Sequence, residues 1–196
     1  MAIITLNNRA TNRSDTATSG QVFTATSATA ADFQDAAAGI TSACQFRLTA
    51  DKTGNADITS SFEVPDTDGY GGIGSAVTES SGIFTFPSTG IYLIHLQATI
   101  ALCQGGDTTA NLLLKTTTDN STYATATKAV AGELAANGSP QMSVYGQFMF
   151  DVTNTSTHKV KLATSSFQSS QSPVTTLKSD TDGNVTSITF LRLGDT

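Results

Sequence analysis

Charge is what this chain has least of. Only 13% of its 196 residues are charged, about half the usual share of a soluble domain. A helical bundle draws on Glu, Lys and Arg for its exposed faces, and a chain held open by charge needs many more, so both classes are excluded. Lys and Arg together number 10 against 16 Asp and Glu, for a net charge of −6. A nucleic-acid surface needs a concentrated basic patch. The nearest approach to one is Lys159 with Lys161, two apart on a strand and expected on one solvated face, so no nucleic acid is expected as a partner. There are two cysteines, Cys44 and Cys103. They are far apart, with no zinc or dithiol spacing, and are expected to be reduced, partly buried thiols. No segment approaches the roughly 20 apolar residues of a membrane span. The opening MAIITLNNRATNR lacks the basic start of a secretory signal, so folding in a cytoplasm is expected.

Thr, Ser, Asn and Gln do the polar work instead, and Thr suits strands because it is β-branched. Residues 1–40 stand apart: small, Ala/Thr/Ser-rich, with isolated anchors at Ile3, Ile4, Leu6, Val22, Phe23 and Phe33. Such a stretch cannot bury a core of its own and reads as a docking or assembly arm. ADFQDAAAG, closed by Gly39, is expected to make a short helical turn, and AVAGELAA is the other helical stretch. From residue 41 to 196, turn residues recur every 8–15 positions, the spacing of an antiparallel sandwich. Strands are expected at 43–50, 58–65, 82–87, 91–102, 110–117, 122–130, 142–152, 159–167 and 185–193, with DNS and DGN as hairpin turns. The fold class is therefore all-β: an antiparallel sandwich of 8–10 strands with an extended N-terminal arm.

Three strands break the alternation of a half-buried strand. In 91–102 one face carries Tyr92, Ile94, Leu96, Ala98 and Ile100, while the other carries Ile91, Leu93, His95, Gln97 and Thr99. In 142–152, Val144, Gly146, Phe148, Phe150 and Val152 oppose Tyr145, Gln147 and Met149. In the last strand Ile188 and Phe190 oppose Leu191 and Leu193. Strands apolar on both faces need cover on both, from a long loop or from a second subunit. Tyr, Met, His and Leu interleaved with Gln and Thr suit a subunit interface. Leu93, His95, Gln97, Tyr145, Gln147 and Met149 are the expected oligomer contacts.

The segment SSGIFTFPSTGIYLIHLQATI also resembles the signature of the jelly rolls of complement-component-q heads and tumour necrosis factors. Its marks fall on Gly82, Phe84, Phe86, Pro87, Gly90 and Tyr92. ANLLLKTTTDNS, SVYGQFMFDVTNTSTHKVKL and SITFLRLG resemble later strands of that family, so the likeness spans roughly residues 43–194. It implies a jelly roll and a homotrimer built through the sheet that holds the doubly apolar strands. The chain lacks the Gly–Asp often seen before the strand at KVKL, any tryptophan and any collagen-like stalk, which sets it apart from secreted animal members. MAIITLNNRATNRSDTA with its Thr/Ser/Ala arm is similar to the starts of virion proteins of tailed phages. That resemblance implies a structural virion protein: a trimeric knob on the virion surface, decorating a head or forming a short fibre, assembled in the host cytoplasm. Other virion proteins would be its partners through residues 1–40. An adhesin knob binding a host-surface receptor or glycan, through loops 66–81, 103–109, 131–141 and 168–184, is the alternative.

Catalytic patterns are scarce. His95 and His158 have no Cys or carboxylate at a meaningful spacing, and no nucleophile elbow or phosphate-cradling glycine loop occurs. GYGGIGS (69–75) is expected to be a flexible loop. No catalytic residue and no cofactor is expected, with an uncharacterised enzyme the last alternative. Calcium is the one cation that the oxygens of DTDG (66–69) and SDTDGN (179–184) would suit. The second run has Leu191 where a calcium loop needs a bidentate Glu, so a solvated turn is the expectation.

Overall fold

A computed structural model of the chain describes residues 3–6, 9–12, 21–25, 31–35, 39–67, 69–134 and 139–196. The chain divides into two compact units, Met1–Gly39 and Ile40–Thr196. In the first, strands β1 (Ile3–Leu6) and β2 (Arg9–Asn12) pair antiparallel, as do β3 (Gln21–Ala25) and β4 (Ala31–Asp35). The helical turn expected at ADFQDAAAG is thus a strand over its first five residues. Asp32, Phe33 and Gln34 register against Thr24, Phe23 and Val22, and cross-strand pairing overrides a weak local preference. Ile3, Ile4, Leu6, Val22, Phe23 and Phe33 lie on these hairpins, but their side chains fall outside what is described.

The second unit is a sandwich of two antiparallel sheets. Its strands are β5 (Ser42–Leu48), β6 (Lys52–Thr53), β7 (Phe62–Glu63), β8 (Thr78–Ser80), β9 (Ile83–Thr85), β10 (Gly90–Ala101), β11 (Gly106–Thr117), β12 (Ala124–Leu134), β13 (Gln141–Val152), β14 (Lys159–Ser165), β15 (Thr176–Leu177) and β16 (Ser187–Gly194). One sheet runs β13-β10-β16-β5-β7, with β15 and β6 continuing beyond the end of β16; the other runs β12-β11-β14-β9-β8. This order is a jelly roll, as expected.

The inward faces fill the core with an aromatic chain. Phe84 lies 5.2 Å from Phe46 and 5.3 Å from Phe190, while Phe86 lies 4.6 Å from Tyr92 and 5.8 Å from Phe150. The rings meet tilted or edge-on, as their quadrupoles prefer. The buried Tyr92 hydroxyl donates to the Ser88 carbonyl at 3.0 Å. Two glycines of the 82–92 segment have physical reasons. Gly82 sits at φ +79°, and a Cβ there would stand 2.0 Å from the Ile58 carbonyl oxygen. Gly90 sits at φ +143°, with a Cβ site 2.5 Å from the Gly194 carbonyl oxygen. Neither position accepts an L side chain without moving neighbouring backbone.

Several expected elements differ. AVAGELAA is not helical among its described residues: β12 runs through it to Leu134, with Ala129 and Ala131 buried and Val130 exposed. That is a strand period, and small alanines let β12 sit close over the core. Of 58–65 only Phe62–Glu63 is strand: Ser61 at φ +70° breaks the extended run, and the Ile58 amide before it donates instead to the Leu162 carbonyl of the other sheet. DGN does not turn a hairpin. β15 and β16 lie along the same side of β10, opposite Ile100 and then Gln97, so residues 178–186 bulge out between two collinear segments. GYGGIGS is pinned rather than loose, since Ile73 and Ala43 exchange backbone hydrogen bonds at 2.9 and 3.0 Å. Of the loops expected at 66–81, 103–109, 131–141 and 168–184, each carries part of a strand: β8, β11, β12 with β13, and β15. Lys159 is buried rather than solvated, its Nζ donating to the Thr155 carbonyl as the 153–158 turn folds back over it. Lys161 bonds Asp57 at 2.6 Å and lies over the Tyr123 ring.

Candidate self-association face

Strands β13, β10, β16 and β5 present their outward side chains in rows set by register. Across one row stand Met149, Leu93, Leu191 and Ala43; across the next, Gln147, His95, Thr189 and Gln45; across the third, Tyr145, Gln97, Ser187 and Arg47. The six residues expected as oligomer contacts thus gather on one face, as neighbouring pairs of β10 and β13. They are unequally exposed. Tyr145 is 76% and Met149 60% accessible, Gln147 and Gln97 are exposed, and Leu93 and His95 are half-buried. Val144, Phe150 and Val152 of the same β13 point inward and are buried. β13 is therefore apolar on both sides, yet the described residues cover only one of them.

The other end of the face is closed by the chain itself. Arg47 points outward from β5 but is 2% exposed, because residues 63–67 and the 178–186 bulge fold over it. Its Nε donates to Glu63 at 2.6 Å and its Nη2 to Asp66 at 2.7 Å. Its Nη1 donates to the Thr67 hydroxyl at 3.1 Å and to the Asp182 carbonyl at 3.3 Å. Gln97 Nε2 donates to the Asn184 carbonyl, and Asn184 Nδ2 to Gln45 Oε1. Loop cover, one of the two alternatives in the sequence, takes the β5 end, and the β10/β13 end is left open by the described residues.

Sequence reasoning missed Arg47, Gln45, Thr189, Ala43 and Ile73 as parts of this face. Leu191 was visible as the second apolar side of its strand, but which strand lies beside it was not. Ile73 and Leu193 are exposed at 48% and 45%, and Ile73 extends the Met149–Leu191 row past Ala43.

Asp66 and Asp180 of the acidic loops spend their oxygens locally. Asp66 is paired with Arg47, and Asp68 lies outside the described residues. Asp180 accepts from the amides of Asp182 and Gly183, which hold its carboxyl below the usual range. Among the described residues no three His, Cys, Asp or Glu side chains gather as a metal site. His158 is buried, stacked on Phe150, and hydrogen-bonded to the Thr153 and Thr157 hydroxyls. Cys44 and Cys103 are buried and unbridged. Burial pushes the Cys44 thiol up despite the Val77 amide that donates to its sulfur.

The sheet order is that of a jelly roll, and its likeness in fold runs to tumour-necrosis-factor-like proteins. Among solved structures the chain is similar to an Eiger tumour necrosis factor from S. frugiperda, at 13% identity and a TM-score of 0.59, over 79% of this chain and 93% of that one. It is also similar to murine APRIL, at 13% identity and a TM-score of 0.53, over 78% and 98%. At that identity the likeness is one of fold. No family model matches the chain, and no curated protein matches it.

Proposed function

We propose that the chain is a non-enzymatic structural virion protein. In this reading three copies associate through the β10/β13 end of the open sheet face into a surface knob, and residues 1–40 dock it to other virion proteins. The observation that carries the trimer is the pair Tyr145 and Met149, standing 76% and 60% exposed beside Leu93 on a strand whose other side is already core. Exposed aromatic and Met side chains grouped with Leu suit the centre of a protein interface. A phage origin is supported by the similarity of MAIITLNNRATNRSDTA and its Thr/Ser/Ala arm to virion-protein starts. The separate N-terminal unit of paired hairpins suits a docking role.

Light scattering on the purified chain at micromolar concentration tests the trimer: a mass of three chains is expected, and a stable monomer refutes it. Binding to purified capsids or tails, with and without residues 1–40, tests the docking. Binding that depends on those residues is expected, and binding that survives their deletion rejects the arm's role. A knob that binds host cells through its loops is the second reading, and the cleft described next favours it.

A further inference from the structure

The pinned loop after β7 and the 178–186 bulge leave a cleft of ≈ 270 Å³ between them, floored by Arg47 and walled by Thr67, Tyr70, Asp182 and Asn184. Its walls are held in place. The buried guanidinium ties Glu63, Asp66, Thr67 and the Asp182 carbonyl together. The Tyr70 hydroxyl accepts from the Gln45 amide at 3.1 Å, and the Thr67 hydroxyl donates to the Asp182 carbonyl at 3.3 Å. A cleft preorganised in this way binds without first ordering its loops.

Unused hydrogen-bonding capacity remains. Among the described residues, no donor bonds the Asp182 carboxylate or Asn184 Oδ1, no acceptor takes the Tyr70 hydroxyl proton, and one Nη2 proton of Arg47 is free. Donors and acceptors are therefore mixed around one aromatic ring. Charge narrows the ligand further. The Arg47 cation at the floor opposes a metal ion, while the carboxylates of Asp66, Asp180 and Asp182 around it oppose an anion. The cleft lies just under the roughly 300–1,000 Å³ of sites for drug-sized ligands, which suits a single pyranose ring. Such a ring brings hydroxyls that both donate and accept, and a C–H face that lies against the electron-rich face of an aromatic ring.

We propose that the cleft between Arg47, Tyr70, Asp182 and Asn184 binds a neutral sugar residue, such as the terminal unit of a surface glycan. The site lies in one chain and does not depend on the trimer. Saturation-transfer NMR on the intact protein tests it with the methyl glycosides of glucose, mannose, galactose and N-acetylglucosamine. Calcium, inorganic phosphate and glycine are titrated separately as controls. Affinity on the order of millimolar is expected for at least one glycoside. Asp182→Ala should weaken it at least tenfold with the melting temperature unchanged, because no fold contact uses that carboxylate; Tyr70→Leu should abolish the ring contact. Silence from all four glycosides, binding unchanged in Asp182→Ala, or binding of a control in place of a sugar each overturns the proposal.

Discussion

Replacing Tyr145 by alanine should separate assembly from folding. In the single chain the ring is 76% exposed, so its loss should move folding stability by no more than about 0.5 kcal/mol, as for other surface positions. In a trimer that covers it, about 150 Å² of tyrosine surface leaves water, worth about 3.5–4 kcal/mol at ~25 cal/mol per Å². Immobilising the side chain takes back about 1 kcal/mol, leaving about 2.5–3 kcal/mol, or roughly a hundredfold in affinity, for each contact. A closed ring of three has three such contacts, so the equilibrium between trimer and monomers should shift on the order of a millionfold. Sedimentation velocity across a dilution series, paired with thermal melts at a concentration where both proteins are monomeric, reads the two effects separately. Wild type sedimenting as a trimer and Tyr145→Ala as a folded monomer is the expected pair. A variant that keeps the wild-type sedimentation coefficient down to nanomolar concentration refutes the burial of this ring. A variant whose melting temperature collapses refutes its being idle in the single chain.

Other consequences concern the frame. Gly82→Ala places a methyl group 2.0 Å from the Ile58 carbonyl oxygen at a positive φ, so soluble yield and melting temperature should both fall sharply, whereas Gly183→Ala, with open space around it, should be mild. The amide of Thr122, the hydroxyl of Thr117 and the amide of Ser121 hold the Asp119 carboxyl well below the usual range. A carboxyl depressed in the folded state adds stability above its unfolded pKa of about 3.9, and that stability is lost as pH falls through the folded value. Urea midpoints should therefore drop below about pH 4, and drop less steeply in Asp119→Asn. Both thiols are buried and unbridged, so an aromatic disulfide reagent should titrate two thiols in denaturant and none in the native protein; rapid native labelling would contradict the burial of Cys44.

The legible part of this fold was local. Tyr92, Ile94 and Leu96 against Leu93, His95 and Gln97 announced a strand with two apolar faces, and β10 presents them so. Gly82, Phe84, Phe86, Pro87, Gly90 and Tyr92 pointed to the jelly roll because each serves a nearby need: a left-handed turn, a core ring or a strand end. Errors came where neighbours decide. Alanines in AVAGELAA favour helix in isolation, but pairing of β12 with β11 makes them strand. GYGGIGS looked loose until Ile73 paired with Ala43.

The sequence by itself determined the class of fold and the outward and inward sides of its long strands, with Leu93, His95 and Gln97 on one side of one strand and Tyr145, Gln147 and Met149 on one side of another. Those properties follow from side-chain alternation along a single strand, which any reader of the chain sees. Only tertiary structure joined these sides into one face, through the pairing of β10 with β13, and decided which end of it stays open. Arg47 lies about 135 residues before its partner Asp182, and no periodicity links them. Long-range closure buried the cation, built the cleft beside it and left Tyr145 and Met149 exposed at the far end.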